Sequence, residues 1–294
     1  MFERDDLQQF SFENTAVRGA LVRLDASYRA VLEKYSYPPV LQELLGEAMA
    51  AAALLAGSLK FEGSLTLQIQ DAGDVSLFVA QCTHHHQLRA MARFNPDAQL
   101  SKPFLFEKGQ LAISLDNEQT GARYQGIVPV AQQTLAQSID TYFTQSEQVP
   151  TRIWLAADGQ MAAGLFLQAL PVDEFKRQQA VLEWEHLEYL TQTITEAELL
   201  NLSFTDILYR LYHAEPVRLH EPTPVSFRCT CSRERIEQTL RALGHEEVES
   251  ILQEQGSVSV DCDFCRHHYH FDAVDAAQLF VDPSTIYVPG EKKT

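Results

Sequence analysis

The chain has 294 residues, of which 40 are Asp or Glu against 23 Lys or Arg, a net charge of −17, and 45% are hydrophobic. That length accommodates two domains and a sizeable core. The acidic balance excludes a general nucleic-acid binder and disfavours anionic membrane surfaces, since both attractions run on Lys and Arg clusters.

The N-terminal stretch Met1-Phe-Glu-Arg-Asp-Asp6 shows neither the basic nor the apolar region of a secretory signal, so a cytoplasmic location is expected. Residues 1–171 read as one α+β core domain. Helices are predicted at Ser27–Tyr35, at Val40–Lys60 and at Thr134–Ser146. The small apolar run Ala48–Leu59 is about 12 residues, short for a bilayer, and reads as a buried helix. In Ser64–Gln70, Leu65, Leu67 and Ile69 share one face, as a half-buried strand requires. Asp71-Ala-Gly-Asp74 turns the chain into the next apolar run, Val75–Ala80. Further strands are expected near Leu111–Leu115, Tyr124–Val130, Arg152–Ala156 and Gly164–Leu170. Grouped strands with inserted helices indicate α+β rather than regular βαβ alternation.

From residue 172 the chain becomes polar. Leu187, Leu190 and Ile194 form a thin helical stripe, Thr195-x-x-Glu198 reads as a capping box, and Phe204, Ile207, Leu208, Leu211 and Tyr212 form a stronger stripe. Short helices are marginal alone, so 172–228 reads as a metastable helical linker, with Pro216, Pro222 and Pro224 at its exit.

Residues 229–294 follow another plan. Ser232 is placed to cap a helix carrying Ile236, Leu240 and Leu243 that stops at Gly244, and Val248, Ile251 and Leu252 mark a second helix. Val258 and Val260 alternate into a turn, and Tyr269 and Phe271 alternate out of it. So few large apolar groups call for a staple.

The staple is at hand in Cys229-Thr-Cys231 and Cys262-Asp-Phe-Cys265, two pairs separated by the 30 residues 232–261. Four thiolates in two chelating pairs suit a tetrahedral Zn²⁺. Equally, each pair is a ready-made disulfide couple. If the pairs oxidise locally, all four ligands vanish together, and two tiny rings do not replace a cross-link spanning the segment between them. A strained CxC disulfide is also readily reduced again. Metal ligands and redox centres are the usual roles of cysteine pairs where thiols are kept reduced.

Neighbouring candidates read more plainly. His267, His268 and His270 are expected to flank a strand on the surface, and His84-His85-His86 to form a solvated turn. Cys82, a lone thiol, reads as a buried small residue. No phosphate-binding Gly loop, GxSxG or HExxH is present, and nothing reads as an enzyme.

The assembled motifs resemble the redox-regulated 33-kDa bacterial heat-shock chaperone family, the 33 kDa chaperonins. They are Cys229-Thr-Cys-Ser-Arg-Glu-Arg235, Cys262-Asp-Phe-Cys265, Glu13-Asn-Thr-Ala-Val-Arg-Gly19, Leu59-Lys-Phe-Glu-Gly63, Arg123-Tyr-Gln-Gly126, Ser146-Glu-Gln-Val-Pro-Thr-Arg152 and Leu211-Tyr-His213. The resemblance implies an α+β core, a helical linker and a small C-terminal zinc-binding domain. It implies an ATP-independent holdase for unfolding client proteins under oxidative and heat stress, inactive while Cys229, Cys231, Cys262 and Cys265 hold one Zn²⁺. Activation is implied to follow from the disulfides Cys229–Cys231 and Cys262–Cys265, zinc release and unfolding, often with formation of a homodimer. No nucleic acid, membrane or catalytic residue is implied. Two readings from other classes stand beside it: a zinc-ribbon module binding RNA or a protein complex, and a thiol oxidoreductase.

Overall fold

The structure is a computed structural model that describes residues 5–101, 106, 109–130 and 134–280. It is α+β, and the chain divides into two compact units, Met1–Arg228 and Cys229–Thr294.

The first unit is organised around helix α2, Pro39–Ser58, which follows the short α1, Ala26–Leu32. Every residue of α2 from Ala48 to Ala56 is buried. A helix apolar on all sides has to be surrounded, and α2 packs against strands of two different sheets. Its alanines and Gly46 permit close approach: a Cβ on Gly46 would stand 2.7 Å from the Ala157 Cβ and 2.8 Å from the Tyr28 ring. The helix has 20 residues, close to the predicted Val40–Lys60, and its length and hydropathy alone would let it cross a membrane. Its apolar surface is instead consumed by the two sheets.

One sheet has the order β10-β1-β2-β9-β8, from Val217–Leu219, Asp6–Phe12, Val17–Leu24, Ala162–Ala169 and Thr151–Ala157, with β11 (Thr223–Pro224) also on β1. The other runs β12-β5-β4-β3-β6-β7, from Ser226–Phe227, Gln87–Phe94, Val75–Thr83, Gly63–Gln70, Gln110–Asn117 and Arg123–Pro129. The predicted strands at 64–70, 75–80, 111–115, 124–130, 152–156 and 164–170 are all present. Helix α3, Leu135–Tyr142, starts at a capping box formed by Thr134 and Gln137.

The first sheet is buried on both faces. Ala20, Val22 and Phe166 join the core around α2, while Phe10, Phe12, Leu21, Leu165 and Leu167 point into a second cluster. Three helices cover that side: α4 (Arg177–Thr191), α5 (Glu196–Asn201) and α6 (Phe204–Tyr212). Leu187, Ile207, Leu208, Leu211 and Tyr212, members of the predicted stripes, are buried there together with Trp184 and Leu199. The Thr191 hydroxyl is 2.5 Å from that of Tyr212, whose ring meets Phe12 edge-on at 4.9 Å. The capping box at Thr195 and Glu198 forms as expected. On β2, Arg23 reaches the carbonyls of Leu199 and Leu202 and lies over the Phe204 ring.

One sequence expectation gives way in the stretch 172–228. The helices end at Tyr212, and residues 217–227 are extended. β10 and β11 extend the first sheet along β1, and β12 pairs in parallel with β5 in the second. The prolines explain this: Pro lacks the N–H for a central ladder but is tolerated on an edge strand.

The second unit contains α7 (Arg233–Leu243), α8 (His245–Gln255), a hairpin of β13 (Val258–Asp261) and β14 (His268–Phe271), and α9 (Ala273–Leu279). Ser232 caps α7 by accepting the Arg235 N–H, and the helix ends at Gly244. Among the described residues its buried core is Leu240, Val248, Val258, Cys262, Tyr269, Phe271, Ala276 and Leu279.

Candidate metal centre

Two loops present the four cysteines of the second unit. Cys229 and Cys231 lie just before the α7 cap, in a segment held by Arg235, whose Nη1 donates to the Thr230 carbonyl at 2.9 Å and its hydroxyl at 2.8 Å. Cys262 and Cys265 sit in the turn between β13 and β14. That turn closes by two backbone bonds, from the Cys262 N–H to the His267 carbonyl (3.0 Å) and from the Arg266 N–H to the Cys262 carbonyl (2.8 Å). Arg266 adopts a left-handed conformation (φ 57°) as the chain reverses into β14.

The hairpin register, Val258 opposite Phe271 and Val260 opposite Tyr269, turns these four side chains to one face. Val258, Tyr269 and Phe271 are buried there and anchor the turn. Arg233 braces the other side: its guanidinium stacks 4.2 Å from the Phe271 ring centroid, donates to the His270 carbonyl at 2.9 Å and pairs with Asp275 at 2.9 Å.

The four Sγ atoms lie within 4.8 Å of one another. All four are free thiols. The close approaches join the two loops, with Cys229 Sγ 3.6 Å from Cys262 Sγ and Cys231 Sγ 3.4 Å from Cys265 Sγ. A tetrahedral Zn–S bond of about 2.3 Å sets sulfur–sulfur edges of about 3.8 Å, so this donor set fits a metal ion of that kind. Burial, and then hydrogen bonds to the Cys231, Cys229 and Cys262 thiols, push the Cys265 thiol up, against the pull of the His267 backbone N–H. The Cys265 thiol therefore resists ionising unless a cation joins it, and a bound metal ion would supply that charge.

Tyr269 is a participant that sequence reasoning missed. Its hydroxyl donates to Cys231 Sγ at 3.1 Å. Alternation marks it only as an inward-facing residue of β14; a tyrosine where a phenylalanine would fill the same core was the available signal, because a buried Tyr hydroxyl needs a partner.

The remaining candidates stand apart from the sulfurs. His267, His268 and His270 are exposed, and His268 Nδ1 lies 2.8 Å from Asp261 Oδ1 across the hairpin. The run His84-His85-His86 forms the turn between β4 and β5, with His85 exposed, His84 and His86 half-buried, and the Gly63 N–H donating to His84 Nδ1 at 2.9 Å. Cys82 is wholly buried, and burial pushes its thiol up to about 12, which removes it as a nucleophile near neutrality.

Comparison with known proteins adds a family. The family model described as "Hsp33 protein" matches residues 5–272. A "33 kDa chaperonin" of Nitrosococcus oceani is 51% identical over 96% of this chain and 96% of its own length. Proteins of the same description from Azotobacter vinelandii and a Shewanella species are 47% and 45% identical, covering 95% and 97% of this chain and 96% and 99% of their own. The crystal structure of a 33 kDa chaperonin from Thermotoga maritima superimposes with a TM-score of 0.78 at 22% identity, over 94% of this chain and 97% of that one, and so shares its fold. With a family match across nearly the whole chain and relatives near half identical, the chain belongs to the Hsp33 family.

Proposed function

We propose that the chain is a molecular chaperone of the holdase type, ATP-independent and redox-regulated, which binds unfolding client proteins under oxidative and heat stress. Cys229, Cys231, Cys262 and Cys265 hold one Zn²⁺ in the resting form. Soft thiolate donors in a four-sulfur set favour Zn²⁺ over the hard cations. Residues 1–171 act as the core, 172–228 as a metastable linker and 229–294 as the switch. The observation that carries this reading is the placement of four sulfurs from two loops within 4.8 Å.

A bound ion ties the two loops together and contributes about 10–16 kcal/mol of apparent folding free energy near neutral pH. Oxidation by peroxide forms one disulfide in each pair, Cys229–Cys231 and Cys262–Cys265. Each pair of zinc-bound thiolates gives two electrons to one hydrogen peroxide, which takes up two protons from solvent and becomes two waters. Neither disulfide retains a thiolate ligand, and each closes only its own small ring, whose effect on chain entropy is slight. The metal cross-link is lost and the small core around Phe271 has no substitute for it. The switch then unfolds and, because only Arg228 separates β12 from Cys229, the loss reaches the end of the linker, which is left with its edge-strand pairings on β1 and β5.

The linker already exposes Phe175 just before α4, Leu182 and Tyr189 on α4, and Tyr209 on α6 in the folded form. Release of these helices uncovers Phe10, Phe12, Leu165 and Leu167 as well, and contiguous apolar surface of this kind is what captures unfolding chains. Two copies sharing such a surface form the oxidised homodimer, and the net charge of −17 keeps it soluble. Free thiols at the switch match the reducing cytoplasm. Against a nucleic-acid ribbon, Arg233, Arg235 and Arg241 are engaged by Asp275, the Thr230 carbonyl and the Leu279 carbonyl within the unit.

The test compares reduced, zinc-loaded protein with protein oxidised by peroxide at mild heat, scoring aggregation of a thermally unfolding client and zinc release to a chromogenic chelator. Suppression of aggregation only after zinc release is expected. Equal suppression in both redox states would refute the reading, and catalytic turnover of a small disulfide would replace it with an oxidoreductase.

A further inference from the structure

Three charged side chains from three elements converge beneath α4. Arg152 on β8 donates from Nε to Glu188 Oε1 on α4 at 2.7 Å. Its Nη1 lies 3.9 Å from Asp140 Oδ2 on α3, and the Ile153 N–H donates to Asp140 Oδ1 at 3.1 Å. The two carboxylates are largely shielded, with side-chain exposures of 20% for Asp140 and 15% for Glu188. A single guanidinium therefore stands between two carboxylates, one on the core and one on the covering helix. The charged groups that act on Asp140 are Arg152 from β8 and Glu188 from α4.

We propose that Asp140, Arg152 and Glu188 form a proton-dependent latch that clasps α4 to the core, tight while Asp140 carries a proton and loosened once it ionises. With Asp140 neutral, Arg152 belongs to Glu188 alone, and Asp140 still accepts the Ile153 N–H. With Asp140 ionised, two carboxylates compete for one guanidinium and repel each other across it. Departure of α4 removes Glu188 and admits water, both of which favour the ionised form.

The sign follows from linkage. Burial lifts the Asp140 carboxyl from 3.8 to about 7 in the docked state, Arg152 and the Ile153 N–H opposing and Glu188 adding to the rise. The docked state thus holds a proton that the undocked state releases. Docking is strongest below the ordinary carboxylate range, weakens as pH rises through it towards 7, and levels off above. The latch does not depend on the chaperone reading. If that reading holds, the latch sets how readily the linker lets go: firmly held in acid, more easily freed at neutral and alkaline pH.

The test is amide hydrogen exchange in α4 of the full, reduced, zinc-loaded chain between pH about 5 and pH about 8, corrected for intrinsic exchange. Protection of α4 is expected to fall about a hundredfold across that range, the factor that follows when Asp140 titrates at its ordinary value undocked and near 7 docked. Asp140→Asn keeps the acceptor for Ile153 and removes the charge, so protection should stay high and flat. Glu188→Gln removes the competing carboxylate, so protection should be low and its slope shallower. A flat profile in the unaltered chain, or an undiminished slope in Asp140→Asn, would overturn the latch. Should Asp140→Asn lose protection in α2, and so be misfolded, Glu188→Gln decides: a full-sized slope there overturns it. Because the readout is exchange and not client binding, failure of the chaperone reading leaves this result intact.

Discussion

In the first unit, helix α2 is buried from Ala48 to Ala56 without a break, and two six-stranded sheets enclose it. In the second, eight buried residues among those described make up the whole core, and one of them is Cys262. The first unit spreads its stability over a large apolar area, at about 25 cal/mol per Å² buried. The second has few apolar contacts and gathers four sulfur atoms within 4.8 Å of one another, a set that a metal ion would tie together. The two units are therefore held by different means, a broad apolar core in the first and, on the proposed reading, a metal ion in the second.

The largest effect expected from this contrast is removal of the metal. Chelation, or Cys262→Ser in the reduced chain, should forfeit most of the roughly 10–16 kcal/mol that a structural zinc contributes. Amide exchange across α7, α8 and α9 should lose its protection, while α2 remains protected. If the second unit kept its protection without metal, its small core would be sufficient and the contrast would fail. Leu45→Ala, a wholly buried position in α2, is the counterpart in the first unit. It should cost about 2–5 kcal/mol and lower the calorimetric midpoint of that unit, yet leave it folded at room temperature.

Within the first unit the same contrast recurs on a smaller scale. Helices α4–α6 rest on the outer face of β1, β2 and β9 through apolar packing, but Arg23 adds a polar clasp on the Leu199 and Leu202 carbonyls and on the Phe204 ring. Arg23→Lys keeps the charge and loses the planar fork. It should cost about 1–3 kcal/mol, the penalty for buried polar groups left without full partners. Faster amide exchange in α5 and α6 with α2 unchanged is the expected reading; equal loosening of α2 would show that Arg23 supports the core rather than the linker.

The four-cysteine cluster was legible in the sequence because the spacing of each pair is a covalent fact: CxC and CxxC keep each pair together whatever the fold does. Strands with one wet face, such as β3 with Leu65, Leu67 and Ile69, were legible through alternation. β1 and β2 were not, because α2 covers one face of their sheet and α4–α6 the other, so Ala20, Leu21 and Val22 are all buried and period two disappears. β5 was hidden by its small alanines, and α9 by its brevity. Tyr269 and the Asp140–Arg152–Glu188 cluster were out of reach for another reason. Their partners come from separate elements, and only the assembled register of the hairpin, or the docking of α4 on β8, brings them together.

Helix caps offer the finest test of the comparison, because the same local loss should be felt differently in the two units. Thr134 caps α3 and Ser232 caps α7, each accepting a backbone N–H in the first turn. Replacing either with Ala removes about 1 kcal/mol of helix stability. In the first unit, Thr134→Ala should appear as a small drop in melting temperature and leave metal affinity unchanged. With a metal at the proposed site, folding and metal binding in the second unit are one equilibrium, so a weakened α7 is felt at the sulfurs. Ser232→Ala should therefore weaken zinc affinity about fivefold, as about 1 kcal/mol requires, measured by competition with a chelator of known affinity. The cap lies one residue from Cys231 in sequence and contributes no ligand, so an unchanged affinity would mean that the ligand loops are preorganised independently of α7, and that the second unit is less dependent on its metal than its small core implies.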